Sequence, residues 1–253
     1  LILNKKEAEK LISNLEKGNW TVSSINEKPR TSNPNPPFTT STLQQEAARK
    51  LRFSAKNTMR VAQQLYENGF ITYMRTDSTN LSEEAIAGSR QVIQDLYGDD
   101  YLPGKAIRYA TKVKNAQEAH EAVRPTSIKR DPASLKDYLS GEQLNLYTLI
   151  WSRMLASQME DARSEATTLN IDAVCKGTGA VYNFRASGSV LKFPGFRSVY
   201  MEGRDDSEET DDKNSLPALA VGDALSCSKL DANQHFTEPL PRFTEATLIK
   251  AME

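Results

Sequence analysis

The sequence predicts an α+β fold in which a helical domain is inserted into a β-rich domain. Between residues 40 and 159, apolar residues recur with the helical spacing of about 3.6 residues. Over residues 169–175, apolar and polar residues instead alternate, as in a half-buried strand. Because a strand is also predicted before the helices, the simplest architecture places the helical segment inside a domain built from strands.

The first elements each carry local signals. A helix is predicted over residues 4–17, because its apolar residues fall on one face, Asn4 can cap its beginning and Gly18 can close its end. Residues 20–25 suit a strand. Prolines in a stretch rich in Asn and Ser then predict a linker, since proline continues neither element: Pro29, Pro34, Pro36 and Pro37.

The helical region contains capped helices. Serines are predicted to open the first three, and glycines to close the second and third: the serines are Ser41, Ser54 and Ser82, and the glycines are Gly69 and Gly98. Gln44 completes a capping box in the first of them. The longest amphipathic face follows at residues 144–155.

Further strands are predicted after the helices, at residues 181–186, 189–193 and 221–230. A last helix is predicted from Thr247 onward, with Thr244 as its N-cap. Since Leu1 is not an initiator methionine and this helix has only begun, we expect the chain to be a piece of a longer protein.

Composition excludes several classes of protein. No apolar run approaches the roughly 18 residues of a membrane span, so no membrane partner is expected. Cys175 and Cys227 lack metal-ligand spacing, and a reducing cytoplasm is the default location. The formal charge is −1, but residues 205–212 hold six acidic side chains, without which the remainder carries +5. Charge therefore permits a nucleic-acid partner without requiring one.

The most informative residue is Tyr73, which lies two positions before Arg75 in the joint between the second and third helices. A phenol beside a fixed cation can attack a phosphodiester, because the cation lowers the phenol's pKa from about 10 and neutralises charge developing on phosphorus. A tyrosine in a short β-prone stretch can equally be a packing residue.

Other candidates have similar alternatives. His120 has Glu118 and Glu121 nearby and can hydrogen-bond a phosphate oxygen, or can be an ordinary surface position. Gln63 and Glu67 share a helix face, which can line a groove towards the phenol or simply face solvent. Asp77, four positions after Tyr73, can serve the site or organise a turn.

Four segments together resemble the bacterial topoisomerase I branch of the type IA topoisomerases. In the order of that family they are NPNPPFTTSTLQQEAARKL (33–51), AQQLYENGFITYMRTDSTNLS (62–82), AQEAHEAVRP (116–125) and HFTEPLPRFTEATLIKAME (235–253). The resemblance implies an enzyme that cleaves one DNA strand through a 5′-phosphotyrosine and reseals it, relaxing negative supercoils without ATP. Its implied partner is DNA, especially single-stranded segments of negatively supercoiled DNA, bound by a monomer.

The resemblance assigns roles to particular residues. Tyr73 is the implied nucleophile and Arg75 the implied contact to the scissile phosphate. The remaining matched positions lie near that phosphate or along the bound strand: His120, Asp77, Thr72, Thr76, Gln63 and Glu67.

The resemblance also implies a torus. In it, a tyrosine-bearing helical domain (33–158) is inserted into a β-rich arch (1–32 and 159–240), and residues 241–253 begin a helical DNA-binding domain. The family's Toprim domain, which binds Mg²⁺, and its zinc-ribbon tail have no counterpart here. We therefore expect no metal in this chain and no efficient cleavage by it alone.

Two other functions compete with strand cleavage. A DNA-binding or structural gate module, with no chemistry of its own, would suit the same segments. A tyrosine recombinase or type IB enzyme needs dispersed Arg and His residues before a late tyrosine, whereas here the tyrosine is early and its arginine is two residues away.

Overall fold

The molecule is described by a computed structural model over residues 4–109, 121–176, 178–203 and 216–252. Helices and a four-stranded sheet together confirm the predicted α+β class. The helices are α1 (Lys5–Leu15), α2 (Thr40–Leu51), α3 (Ala55–Glu67), α4 (Glu83–Tyr97), α5 (Gly141–Ala156) and α6 (Glu245–Met252). The strands are β1 (Asn19–Ser32), β2 (Ala162–Val174), β3 (Val181–Phe193) and β4 (Ala224–Leu225).

The chain divides into two compact units. One contains the described residues of 1–30, 163–192 and 209–240, and the other those of 31–162, 193–208 and 241–253. The acidic run 205–212 lies outside the described residues. Within the part of the chain that the structure describes, no helix is both long and apolar enough to span a bilayer.

The first unit, here called the strand unit, is built on a sheet with the order β3-β2-β1-β4. A small core of Leu15, Ala173 and Cys175 joins α1 to this sheet. Gly18, between α1 and β1, is required by close packing, because a Cβ atom there would lie 2.7 Å from the carbonyl oxygen of Val174.

Strand β1 runs further than its sequence predicts. It continues through Pro29 to Ser32, where the prolines predicted a linker. The antiparallel partner β4 is in register with β1 at Trp20 and Thr21, and Val22 exchanges backbone hydrogen bonds with residues 222 and 223. Pro29 lies beyond this pairing, where no described strand joins β1 on the β4 side, and an unpaired strand edge tolerates a residue that lacks an N–H group. The predicted strands 181–186 and 189–193 form the single strand β3, and the prediction for 221–230 was too long.

The second unit, here called the helical unit, has a core formed mainly by α2, α3 and α5. Their apolar faces meet as the helical spacing predicts. Fully or almost fully buried members of this core include Phe38, Leu43, Val61, Leu65, Ile71, Met74, Leu146, Tyr147, Ile150 and Leu155.

Most of the predicted helix ends are confirmed. The hydroxyls of Ser54 and Ser82 accept from the backbone amides three residues on, and Gly98 closes α4 with φ +86°. The prediction for α2 was wrong, because its N-cap is Thr39, in a capping box with Thr42.

A buried ionic network fastens residues 193–203 into the helical unit. The sequence instead predicts that these residues belong with the strands. The carboxylate of Glu46, on α2, is fully buried and accepts from the Tyr200 hydroxyl at 2.6 Å and from the Gly203 amide at 3.0 Å. Arg153, on α5, donates to the Pro36 carbonyl at 2.6 Å and to the Tyr200 hydroxyl at 3.0 Å. These buried polar groups therefore serve as hydrogen-bond partners for one another in place of water.

Candidate active site

The segment between α3 and α4 holds Tyr73, in the helix joint that the sequence predicts. The chain leaves α3 at Gly69, whose φ of +70° strains any residue with a Cβ atom. The Gly69 amide donates to the Tyr66 carbonyl and the Phe70 amide to the Leu65 carbonyl, both at 2.9 Å. The helix thus ends sharply and the backbone turns into the next segment.

Burial alternates along this segment. Tyr73, Arg75 and Asp77 are exposed, whereas the residues between and after them, Met74, Thr76 and Ser78, are buried. Side chains of an extended backbone point alternately to two faces, so this alternation of burial indicates an extended segment that packs on one face. The phenol, the guanidinium and the carboxylate are therefore all presented to solvent, with the Tyr73 side chain 51% exposed.

The buried side of the segment is held by Thr40, in the first turn of α2. Its hydroxyl donates to the Met74 carbonyl at 2.8 Å and accepts from the Thr76 amide at 2.8 Å. The Thr40 amide also donates to the Thr76 carbonyl at 2.8 Å. These contacts fix the backbone on both sides of Arg75 and explain why α2 begins earlier than its sequence predicts.

The beginning of the segment is held by residues 122–125. The Thr72 amide donates to the Arg124 carbonyl at 2.9 Å, and the Arg124 amide donates back to the Thr72 hydroxyl at 3.0 Å. That hydroxyl also donates to the Ala122 carbonyl at 2.7 Å. Ile71 and Pro125 form an antiparallel bridge. The residue before Tyr73 is thus fixed by backbone contacts.

Both threonines of the predicted site hold the backbone. The Thr72 hydroxyl is engaged as described, and the Thr76 hydroxyl accepts from the Ser78 amide at 3.0 Å. Thr76 is 8% exposed. In this structure the two hydroxyls therefore shape the segment that carries Tyr73.

The α3 face contains the predicted pair, Gln63 and Glu67, together with Tyr66. Gln63 donates from Nε2 to Glu67 Oε1 at 2.7 Å, as the i, i+4 spacing predicts. The half-exposed ring of Tyr66, on the same helix, meets that of Tyr73 edge to face, with centroids 5.3 Å apart.

His120 lies outside the described residues. The described residues that follow it are bonded to the tyrosine segment and to the start of α4. The Ala122 amide donates to the Asn80 carbonyl at 2.9 Å, and the Ser82 amide donates to Glu121 Oε1 at 2.8 Å.

Glu121 is an ionised partner in these contacts. Partial burial raises its pKa, but the hydrogen bond and charge of Arg124, with the hydrogen bond from Ser82, hold the pKa below the ordinary carboxyl value. The Arg124 guanidinium donates to Glu121 Oε2 at 2.7 Å. Sequence reasoning missed Arg124, which no local signal distinguishes from a surface arginine.

The fold and this site agree with a comparison of the whole sequence. A sequence model described as DNA topoisomerase matches residues 1–253, and the chain therefore belongs to the bacterial DNA topoisomerase family.

Individual relatives are similar to the whole of this chain. The chain is 49% identical over 256 residues to the protein named DNA topoisomerase 1 of Zymomonas mobilis and 48% identical to that of Streptomyces coelicolor, with 100% of the chain covered in both. It spans only 20% and 27% of those two proteins. The structure of full-length topoisomerase I from Thermotoga maritima is similar over 99% of this chain and 39% of its own, with TM-score 0.74 and 31% identity.

Proposed function

We propose that the chain is the strand-cleaving part of a type IA DNA topoisomerase, with Tyr73 as its nucleophile. The observation that carries this proposal is the alternation around Tyr73. A half-exposed phenol shares the open side of a fastened segment with Arg75 and Asp77. The related proteins named DNA topoisomerase 1 support the same reading.

The reaction is an exchange of phosphodiester bonds. The Tyr73 oxygen loses its proton and attacks a DNA phosphorus, the bond from phosphorus to the 3′ oxygen breaks, and that oxygen takes up a proton. A 5′-phosphotyrosine remains, and reversal reseals the strand. Because one phosphodiester replaces another, no nucleotide energy source is needed. When the other strand passes through the gap before resealing, the linking number changes, and repeated cycles relax negative supercoils.

The neighbouring residues serve this step in different ways. Arg75 places a positive charge beside the phosphate, which stabilises charge developing in the transition state. Asp77 and His120 are proposed hydrogen-bond partners near that phosphate. Gln63 and Glu67 line the approach of the strand, and Thr72 and Thr76 act through the backbone contacts that fix the tyrosine.

Mg²⁺ is proposed for the complete enzyme but not for this chain. Among the residues that the structure describes, no three His, Cys, Asp or Glu side chains gather where they could hold a metal ion. We place its ligands in the family's Toprim domain, outside the residues that the structure describes, where the bound ion would supply charge neutralisation. The isolated chain is accordingly expected not to relax supercoiled DNA.

The proposed substrate is single-stranded DNA, in particular the unpaired segments of negatively supercoiled DNA, acted on by a monomer in the cytoplasm. The alternative remains a DNA-binding gate module without chemistry. The two functions differ in whether Tyr73 ever becomes bonded to DNA.

The test is covalent trapping of a cleaved single-stranded oligonucleotide by the full-length enzyme. Tyr73→Phe is expected to abolish the adduct, because only the attacking oxygen is removed. Tyr138→Phe is the matched control, since Tyr138 is 78% exposed in the same unit and lies more than 50 positions after the segment in the chain. An adduct that survives in Tyr73→Phe would refute the assignment and favour the gate module.

A further inference from the structure

One ion pair, between Glu121 and Arg124, contacts both ends of the segment that joins α3 to α4 and carries Tyr73. Arg124 donates from Nη2 to Glu121 Oε2 at 2.7 Å, and the Arg124 side chain is only 13% exposed. The same guanidinium donates from Nη1 to the Pro125 carbonyl at 2.9 Å. The pair therefore fixes the shape of residues 121–125, a loop without regular secondary structure apart from isolated bridges.

That loop is bonded to the beginning of the segment through Arg124 itself. Its carbonyl accepts from the Thr72 amide at 2.9 Å, and its amide donates to the Thr72 hydroxyl at 3.0 Å. Thr72 immediately precedes Tyr73 in the chain. A shift of the Arg124 backbone is therefore transmitted to the nucleophile through a single residue.

The same pair also holds the far end of the segment. Glu121 Oε1 accepts from the amide of Ser82, the N-cap of α4, at 2.8 Å. Glu121 Oε2 accepts from the Arg124 guanidinium. The two carboxylate oxygens therefore connect the start of α4 to Arg124. Arg124 Nη2 also lies 3.5 Å from the Ser82 hydroxyl. One carboxylate thus bridges the loop and the helix that follows the segment.

The Arg124 guanidinium depends on this partner. Its side chain is largely buried, and among the described residues no acceptor lies within hydrogen-bond distance of its Nε atom. A largely buried charged group loses its main compensation when its carboxylate partner is removed. Removing Glu121 is therefore expected to displace Arg124 and, with it, the backbone that holds Thr72.

We infer that the Glu121–Arg124 pair is a positioning unit, which sets the place of Tyr73 by holding both ends of its segment. This inference rests on the proposed function. Neither residue is assigned a contact with DNA, and both act through Thr72 and Ser82. Thr40 holds the middle of the segment, and the pair holds its ends.

The experiment uses Glu121→Ala, Arg124→Met and the double variant in the full-length enzyme. The cleavage rate at saturating oligonucleotide is expected to fall roughly tenfold to a hundredfold, since a misplacement of about 1 Å costs on the order of a hundredfold. The dissociation constant of the oligonucleotide should stay within about twofold. The double variant should be no slower than the worse single variant, because the pair acts as one unit.

Two further measurements separate positioning from general loss of structure. Amide hydrogen exchange should quicken at Thr72 and Ser82 and stay unchanged at Thr76, which Thr40 holds. Glu121→Gln keeps an acceptor for the Ser82 amide and should recover part of the rate. Glu142→Gln is the matched control, because Glu142 forms an exposed ion pair with Arg60 elsewhere in the helical unit, and it should leave all readouts unchanged.

The outcomes also distinguish this inference from the proposed function. If Tyr73→Phe abolishes the adduct while Glu121→Ala and Arg124→Met cleave at the normal rate, the positioning unit is refuted and the nucleophile stands. A fall in rate matched by an equal weakening of oligonucleotide binding also refutes it. If Tyr73→Phe keeps its adduct, the proposed function fails, and unchanged exchange at Thr72 and Ser82 would separately overturn the structural part of the inference.

Discussion

Two polar clusters of the helical unit are arranged in opposite ways. Around Glu46, the charged and hydroxyl groups are buried and bonded to one another, and the cationic group of Lys50 lies 3.7 Å from the Tyr200 ring centroid. Around Tyr73, the backbones of Thr72, Met74 and Thr76 are hydrogen-bonded, but the phenol and the Arg75 guanidinium are exposed. The first arrangement stabilises the fold, whereas the second keeps reactive groups available on a fixed support.

The largest expected effect comes from breaking the buried cluster. Glu46→Ala should lower the free energy of unfolding by about 3–5 kcal/mol, because it leaves the α2 cations Arg49 and Lys50 without their buried carboxylate and removes the acceptor of the Tyr200 hydroxyl. Denaturant unfolding measures this loss. Glu46→Gln is the control that keeps acceptors for Tyr200 and Gly203, and it should cost less. A loss below about 1 kcal/mol in Glu46→Ala would contradict a structural role for the cluster.

The opposite result is expected for the exposed cluster. Arg75→Ala should raise the cleavage barrier of the full-length enzyme by about 3–4 kcal/mol, since one charge-stabilising contact in the transition state is lost. Its unfolding midpoint should stay nearly unchanged, because Arg75 is exposed. Single-turnover cleavage and denaturant unfolding, measured on the same variant, test both halves. Normal cleavage, or strong destabilisation, would remove the distinction between the two clusters.

The smallest expected effect is on the pH dependence of stability and concerns Glu121, which helps to hold the backbone around Tyr73. Its folded pKa is held below the ordinary carboxyl value of 4.5. Its contribution to stability is therefore fully present above the unfolded pKa and is lost as pH falls through the folded pKa. The stability difference between wild type and Glu121→Gln should be constant from about pH 6 to 8, no more than about 1 kcal/mol, and should shrink below about pH 4.5. A difference that grows on acidification would contradict the assignment.

Local chemistry made much of this fold predictable. Ser54, Ser82 and Gly98 act within one turn of their own helices, so their roles can be read from neighbouring residues. The true start of α2 could not be read in this way, because Thr40 is held by residues 74 and 76, more than 30 positions away. The length of β1 past Pro29 likewise depends on which edge of the sheet is open.

The site was predictable to a similar degree. Tyr73 and Arg75 stand out because a spacing of two in an extended segment places both side chains on one side. Their supports, Thr40 and Arg124, carry no sequence signal, since their roles arise from contacts made across the fold. The contact between the Tyr66 and Tyr73 rings depends on how the chain turns after α3, so helix spacing alone does not show it.

The most direct test of the central claim is to identify the residue that becomes bonded to DNA. Trypsin treatment of the trapped adduct should release residues 61–75, which contain both Tyr66 and Tyr73 and no internal Lys or Arg. Fragmentation by tandem mass spectrometry then assigns the nucleotide to one ring. The structure predicts that it lies on Tyr73. A nucleotide on Tyr66, or on any other peptide, would contradict this account.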